Sequence, residues 1–303
     1  CVRVASTSSP ESRITSHGSR FTRYAIRNPQ YVPSSPGCVL FDLQFPNNPP
    51  SMPTLDVRAL AAHPDDVELC AGGTVCLLAQ QGYDVGIVDF TKGQLGSRGT
   101  PQQRMEEAER ASDIIGLSAR ENLGLMDGDI RNTKANQRRV IEAVRRYRPD
   151  IVLLNAPESR HPDHSDAADL STDALYYSGL QEIETTGPDG TPQAPWRPHH
   201  VLHYMQAVSF EPTMVVDVTD VWDQRIEALQ AFESQFHNPD YEPDPDEPET
   251  FVSNPEFFEW VKSRARTYGY TVGATYGEPF KYRHGPFGVT DLPGVLSKEK
   301  EFR

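Results

Sequence analysis

Apolar positions along this chain fall into short runs separated by longer amphipathic stretches. The run VRALAA (57–62) reads as a buried strand, followed by a polar loop from His63 to Glu68, then Gly72, Gly73 and an amphipathic helical stretch to Gln81. DVGIVDF (84–90) is a second strand. After the Gly-rich loop TKGQLGSRGT a charged helix spans 101–115, with Thr100 as N-cap and Pro101 at its first position. The unit then recurs: a helix at 135–148 ended by Pro149, a strand DIVLLNA (150–156) and a helix at 165–179 closing near Gly179. Later strands are expected at VLHYMQA (201–207) and MVVDVT (214–219), a strong helix at 221–236 and a last helix at 255–268. The Pro- and acid-rich segment NPDYEPDPDEPE (238–249) forms no regular element, and the tail from Gly277 reads as irregular. Alternating helices and near-continuous apolar strands predict an α/β, Rossmann-like fold with a mostly parallel sheet covered on both faces.

Composition narrows the function classes. The 303 residues are 37% hydrophobic and 24% charged, enough for a sizeable core. No apolar run approaches the roughly 18 to 20 residues that span a bilayer, and mean hydropathy is -0.57, so no membrane partner is expected. Net charge is -14, although residues 1 to 51 carry five Arg against only Glu11 and Asp42. The body is therefore more acidic still and lacks the basic footprint that nucleic acid requires. Cys70 and Cys76, six apart without metal-type spacing, read as free buried thiols, which suits a cytoplasmic location. Residues 1 to 51 show no hydrophobic periodicity and read as an unstructured extension, with Met52 the expected natural start and 52–303 a single domain.

Chemistry concentrates at two strand ends, where ligands bind in open parallel sheets. One cluster is AHPDDVE, with His63, Asp65, Asp66 and Glu68; the other is SRHPDH, with His161, Asp163 and His164. Two His nitrogens and one carboxylate satisfy a catalytic Zn2+ site with an open position for water. His63 and Asp66, three apart in a turn, supply two ligands, and His164 the third. Asp65 then stands beside the ion as a base for water acidified by the metal. His161 faces the substrate, to stabilise an oxyanion or protonate a leaving amine, with Asp163 orienting its imidazole.

Together with DFTKGQLGSRGTPQQR and ENLGLMDG, these clusters resemble the PIG-L/LmbE family of zinc-dependent N-acetylglucosaminyl deacetylases over about Leu55 to Leu296. EALQAFESQF, RARTYG and YGEPF resemble its bacillithiol-biosynthesis branch, which implies N-acetylglucosaminyl-L-malate as substrate. The resemblance implies one zinc per chain on His63, Asp66 and His164, Asp65 as base and His161 as the oxyanion or acid group. It implies a small GlcNAc-conjugate substrate and a trimeric or hexameric homo-oligomer. Arg104 matches a position near the substrate; its other reading is an exposed Arg paired with Glu106 or Glu107. Where the mycothiol branch has a pocket tyrosine, this chain has Ser159, and a tyrosine of bacillithiol-type relatives falls at Phe257. Either Phe257 only packs, or Tyr241 or Tyr268 supplies a hydroxyl.

Other readings are weaker. No GxGxxG or GxxxxGK[ST] accompanies the glycines, and no GxSxG elbow accompanies Ser159 and Ser165. His199, His200 and His203 lack a motif-grade metal partner. Deacetylation of another GlcNAc conjugate or small amide is the nearest alternative, and a non-catalytic metal- or sugar-binding module the more distant one. Asp65 discriminates the last, since hydrolysis needs a base that a closed structural zinc site does not.

Overall fold

The computed structural model describes residues 54–286, 288 and 290; the extension at 1–51, with Cys1 and Cys38, lies outside the described residues. Strands β1 (Val57–Ala61), β2 (Val85–Asp89), β3 (Ala119–Asn122), β4 (Ile151–Leu154), β5 (His200–Tyr204), β6 (Met214–Asp217) and β7 (Gly277–Tyr282) form one sheet in the order β3-β2-β1-β4-β5-β7-β6. The five from β3 to β5 run parallel, while β7 is antiparallel to both β5 and β6.

Among the described residues six α-helices cover this sheet: α1 (Asp66–Gln80), α2 (Pro101–Ile115), α3 (Lys134–Tyr147), α4 (Pro162–Ser178), α5 (Trp222–Gln230) and α6 (Glu256–Tyr270). One core packs Val57, Ala59, Val85 and Ile87 against residues of α1, α2, α5 and α6. The other packs Leu60, Val88, Val152 and Leu154 against α3 and α4. Since β1 and β2 are buried at every position, their side chains feed both cores, the pattern expected of strands covered on two faces. The strand order reverses between β1 and β4, which opens a crevice beyond their carboxyl ends. Thr100 caps α2 as its sequence requires, accepting from Gln103 N at 3.1 Å.

Several elements differ from the sequence reading: β3 is not among the expected strands, and α4 begins at Pro162, three residues before the expected start. α1 begins at Asp66, inside the expected loop, so that loop is only a few residues long. The helix expected over 221–236 ends at Gln230. The tail from Gly277 is not irregular: it opens with β7, hidden in sequence by Gly277 and Pro279, both weak strand formers. Gly277 is required there because α6 crosses over it, and an added Cβ would lie 2.7 Å from Gly269 N.

Candidate metal centre

The crevice between β1 and β4 gathers both sequence clusters. From β1 the chain passes through His63 and Pro64 to Asp65, whose φ of 108 lies in the left-handed region that disfavours a non-Gly residue. Such strain is stored where a function fixes the conformation. The Asp65 side chain makes no helix cap; Arg104 Nη2 donates to its Oδ2 at 2.5 Å. The turn also brings Asp66 Oδ2 within 3.1 Å of His63 N. Across the crevice His161 is the N-cap of α4, its Nδ1 accepting from Asp163 N at 3.3 Å, with Pro162 at the first helical position. His161, Asp163 and His164 thus sit at one helix start.

The three imidazoles converge. Ring centroids are 4.9 Å apart for His63 and His161, 5.5 Å for His63 and His164, and 5.0 Å for His161 and His164. His63, Asp66 and His164 each place a ligand atom within 4.8 Å of the others; His63, His161 and Asp163 form an overlapping group. Two imidazoles with one carboxylate are the donor chemistry of a three-ligand catalytic ion, so the residues present fit the metal the sequence implies. His164 Nε2 lies 3.0 Å from Asp66 Oδ1, and His63 Nδ1 3.8 Å from Asp66 Oδ2.

Carboxylates surround His63 on its other side. Its Nε2 is 3.0 Å from Asp127 Oδ1 and 3.3 Å from Asp163 Oδ2. Asp127 Oδ2 in turn accepts from Leu95 N at 2.7 Å, and Asp163 Oδ2 from Gly128 N at 2.7 Å. The sequence reading aims Asp163 at His161, but its carboxylate is taken up by His63 and the Gly128 amide, and His161 meets only its backbone N–H. Burial opposes charging His63, yet its bonds to Asp127 and Asp163 and the charge of Asp66 hold its pKa up at about 10. Burial pushes the Asp65 carboxyl up to about 6, with the Arg104 cation restraining the rise. His161 is shifted the other way, lowered by burial and then by the neighbouring His63 and His164.

Arg104 takes neither of its expected glutamate partners. Besides Asp65, its Nε donates to Pro64 O at 3.2 Å, while Glu107 accepts from Ser234. It lines the cavity over the centre, consistent with a place on the substrate side. Gly93, at φ +65, leaves room for it: a Cβ there would lie 2.3 Å from Arg104 Nη1. Gly93→Ala is therefore expected to displace the guanidinium and lower kcat/KM by about 100-fold, since misplacement on the ångström scale has that cost. The capacity to bind a divalent metal should stay unchanged, and parent-like kinetics would show that Arg104 is not needed where it stands.

The cavity has a volume of about 520 Å3, within the range of small-molecule pockets. Besides the polar cluster, the cavity is lined by an apolar wall of Phe236, Phe251, Val252, Phe257 and Trp260, whose aromatic rings meet at Phe257. Phe257 is 4% exposed and stacks on Trp260 at 5.4 Å and on Phe236 at 5.8 Å, so it packs. Neither Tyr241 nor Tyr268 lines the cavity, and the Tyr241 hydroxyl donates to Glu247 at 2.9 Å. Arg160 is exposed at the rim, its guanidinium 5.4 Å from the Phe251 ring centroid.

Sequence reasoning missed Asp127, Asn155 and Gln206. Asp127 lies within ENLGLMDG, a stretch noticed only as part of the resemblance, and Asn155 ends a strand where the parallel-sheet rule could have flagged it. Nothing local marks Gln206. His199, His200 and His203 form no metal group among the described residues; they pair with Asp150, Tyr282 and the Asn155 carbonyl. Cys70 and Cys76 are free and buried, and burial pushes both thiols up to about 12. No helix among the described residues is long and apolar enough to cross a membrane.

Comparison with known proteins gives the same direction. Residues 59–175 match the family model described as PIG-L, GlcNAc-PI de-N-acetylase. A diacetylchitobiose deacetylase from Thermococcus kodakarensis is 28% identical, over 82% of this chain and 91% of the relative. A 4-oxalmesaconate hydratase from Pseudomonas putida is 26% identical, over 61% and 76%. A probable N-acetyl-alpha-D-glucosaminyl L-malate deacetylase from Bacillus cereus is also 26% identical, over 59% and 83%. Among solved structures, a conserved protein of Thermus thermophilus superposes with a TM-score of 0.68 at 32% identity, over 78% of this chain and 98% of its own.

Proposed function

The chain belongs to the PIG-L family, and from that premise we propose that it is a zinc-dependent N-deacetylase of a small N-acetylglucosamine conjugate. The observation that carries this reading is a donor set of three, His63, Asp66 and His164, beside a carboxylate, Asp65, that belongs to no ligand group. A closed structural site has no use for Asp65.

A bound divalent ion supplies Lewis acidity, polarising the amide carbonyl and acidifying water. Asp65 takes the proton from the attacking water; burial has brought its pKa toward the range where a base works best at neutral pH. Arg104 holds that carboxylate at one oxygen and leaves the other for the water. His161 stands at the start of α4, where the helix N-terminus also favours a developing negative charge, and donates to the oxyanion or to the departing amine. Asp127 and Asp163 fix the far nitrogen of His63, as carboxylates do behind metal-ligating histidines.

For the rest of the substrate, the aromatic wall suits the apolar face of a second sugar ring. The segment running into that wall carries Asp240, Glu242, Asp244, Asp246, Glu247 and Glu249 and no Lys or Arg, which disfavours a dicarboxylate. A neutral disaccharide such as diacetylchitobiose is therefore the better fit. The L-malate conjugate is the second reading, and Arg160 is the observation in its favour, being the exposed rim cation able to receive a carboxylate.

The test is a panel of diacetylchitobiose, N-acetylglucosaminyl-L-malate, the GlcNAc-inositol conjugate and 4-oxalmesaconate, scored by amine release and by loss of substrate. Amine release led by diacetylchitobiose is expected. A lead for the malate conjugate that Arg160→Ala removes would establish the second reading, and turnover of 4-oxalmesaconate alone would overturn both.

A further inference from the structure

Two of the hydrogen-bond donors on the Asp66 carboxylate come from side chains outside both sequence clusters. Asn155, just past β4, donates from Nδ2 to Asp66 Oδ2 at 3.1 Å. Gln206, just past β5, donates from Nε2 to Asp66 Oδ1 at 3.3 Å. The far side of each amide fixes which end faces the carboxylate: Asn155 Oδ1 accepts from Ala62 N at 3.1 Å, and Gln206 Oε1 accepts from Ala156 N at 3.0 Å. Asn155 Nδ2 also lies 3.3 Å from Gln206 Oε1, so the two amides are linked. Both residues are buried, 2% and 3% exposed.

We propose that Asn155 and Gln206 act as a carboxamide clamp that positions Asp66 for metal binding. The inference rests on the metal-dependent reading given above. One donor on each oxygen resists rotation of the carboxylate, and the donors stand at the ends of adjacent strands, the most rigid places the fold offers. His164 is drawn into the same arrangement. Its Nε2 faces Asp66, while its Nδ1 lies 2.9 Å from Gln206 Nε2 and 3.0 Å from Ser159 Oγ. Gln206 Nε2 therefore touches two of the three donor residues, Asp66 and His164, and Ser159 Oγ adds a second contact to the same ring nitrogen of His164.

The test measures zinc affinity by competition with a chromophoric chelator, alongside melting of the metal-free protein. Gln206→Met and Asn155→Leu, which keep shape and remove the donors, are expected to weaken zinc binding by about 10- to 100-fold, the usual cost of losing such a supporting bond. Should Gln206→Met not fold, Gln206→Asn withdraws the same carboxamide by one methylene while keeping the site polar. Zinc affinity within twofold of the parent in a folded Gln206 variant would overturn the clamp. That failure differs from failure of the functional reading, which would show in the parent itself as absence of zinc binding or of amine release.

Discussion

Asp65→Asn is expected to lower turnover by about 100- to 10,000-fold, the contribution of a positioned general base, while zinc stays bound. The substitution is isosteric, and Asn tolerates the left-handed backbone better than most residues, so the φ of 108 persists. The three-residue donor set is untouched. What is lost is the acceptor for the water proton, together with the charge partner of Arg104. The assay pairs kcat with zinc stoichiometry on the same sample. Parent-like turnover at full zinc occupancy would remove Asp65 from the mechanism, whereas loss of zinc together with activity would make it a structural support of the centre. Asp65→Ala is the poorer choice, because a β-carbon without a polar side chain is less compatible with that backbone.

The largest stability effect is expected behind the site. Arg120 on β3 donates to Glu68 Oε1 at 2.6 Å and to Asp89 through Nε at 2.7 Å and Nη2 at 3.0 Å. Glu68 and Asp89 are both fully buried, one in the first turn of α1 and one at the end of β2. Burial alone would lower the arginine pKa, but the two carboxylates hold it well above its ordinary value. The guanidinium is therefore committed to its charge. Arg120→Met leaves two buried carboxylates without a cation, a change that costs about 3–5 kcal/mol when one partner of a buried pair is removed. Urea unfolding of the metal-free protein measures it. Arg120→Lys should recover only part, since a single ammonium cannot reproduce the fork that reaches both acids. A loss below about 1 kcal/mol for Arg120→Met would mean that water or rearrangement satisfies the acids.

The same residues show why some of this was legible in the sequence. His63 lies in the short turn after β1, and Asp66 and His164 lie in the first turns of α1 and α4, each soon after an apolar strand, so strand pattern and motif spacing together located them. Asp127, beyond β3, and Gln206, beyond β5, reach the centre only because the parallel strands from β3 to β5 all end on the same side of the sheet, which no local pattern records. Asp163 was readable as a member of the site but not as a partner of His63, because the Gly128 amide that holds it comes from a distant loop. Likewise β3 escaped notice: it is a four-residue edge strand of sequence AREN, held by ions instead of apolar burial. Glu121 meets Arg58 at 2.8 Å and Arg146 at 2.5 Å, with Arg58 fully buried against the Tyr147 ring. Periodicity finds strands that bury hydrocarbon, and β3 buries charge.

The central claim is that a metal held by His63, Asp66 and His164 makes this chain an amide hydrolase of N-acetylated sugars. It is tested most directly by quantifying acetate and free amine from diacetylchitobiose with protein stripped by a chelator and then reloaded with zinc. The account predicts equimolar acetate and amine, abolished by stripping and restored by about one zinc per chain. Turnover that survives stripping, or a reloaded protein that binds zinc at those three residues and releases no acetate from any N-acetylated sugar, would contradict it.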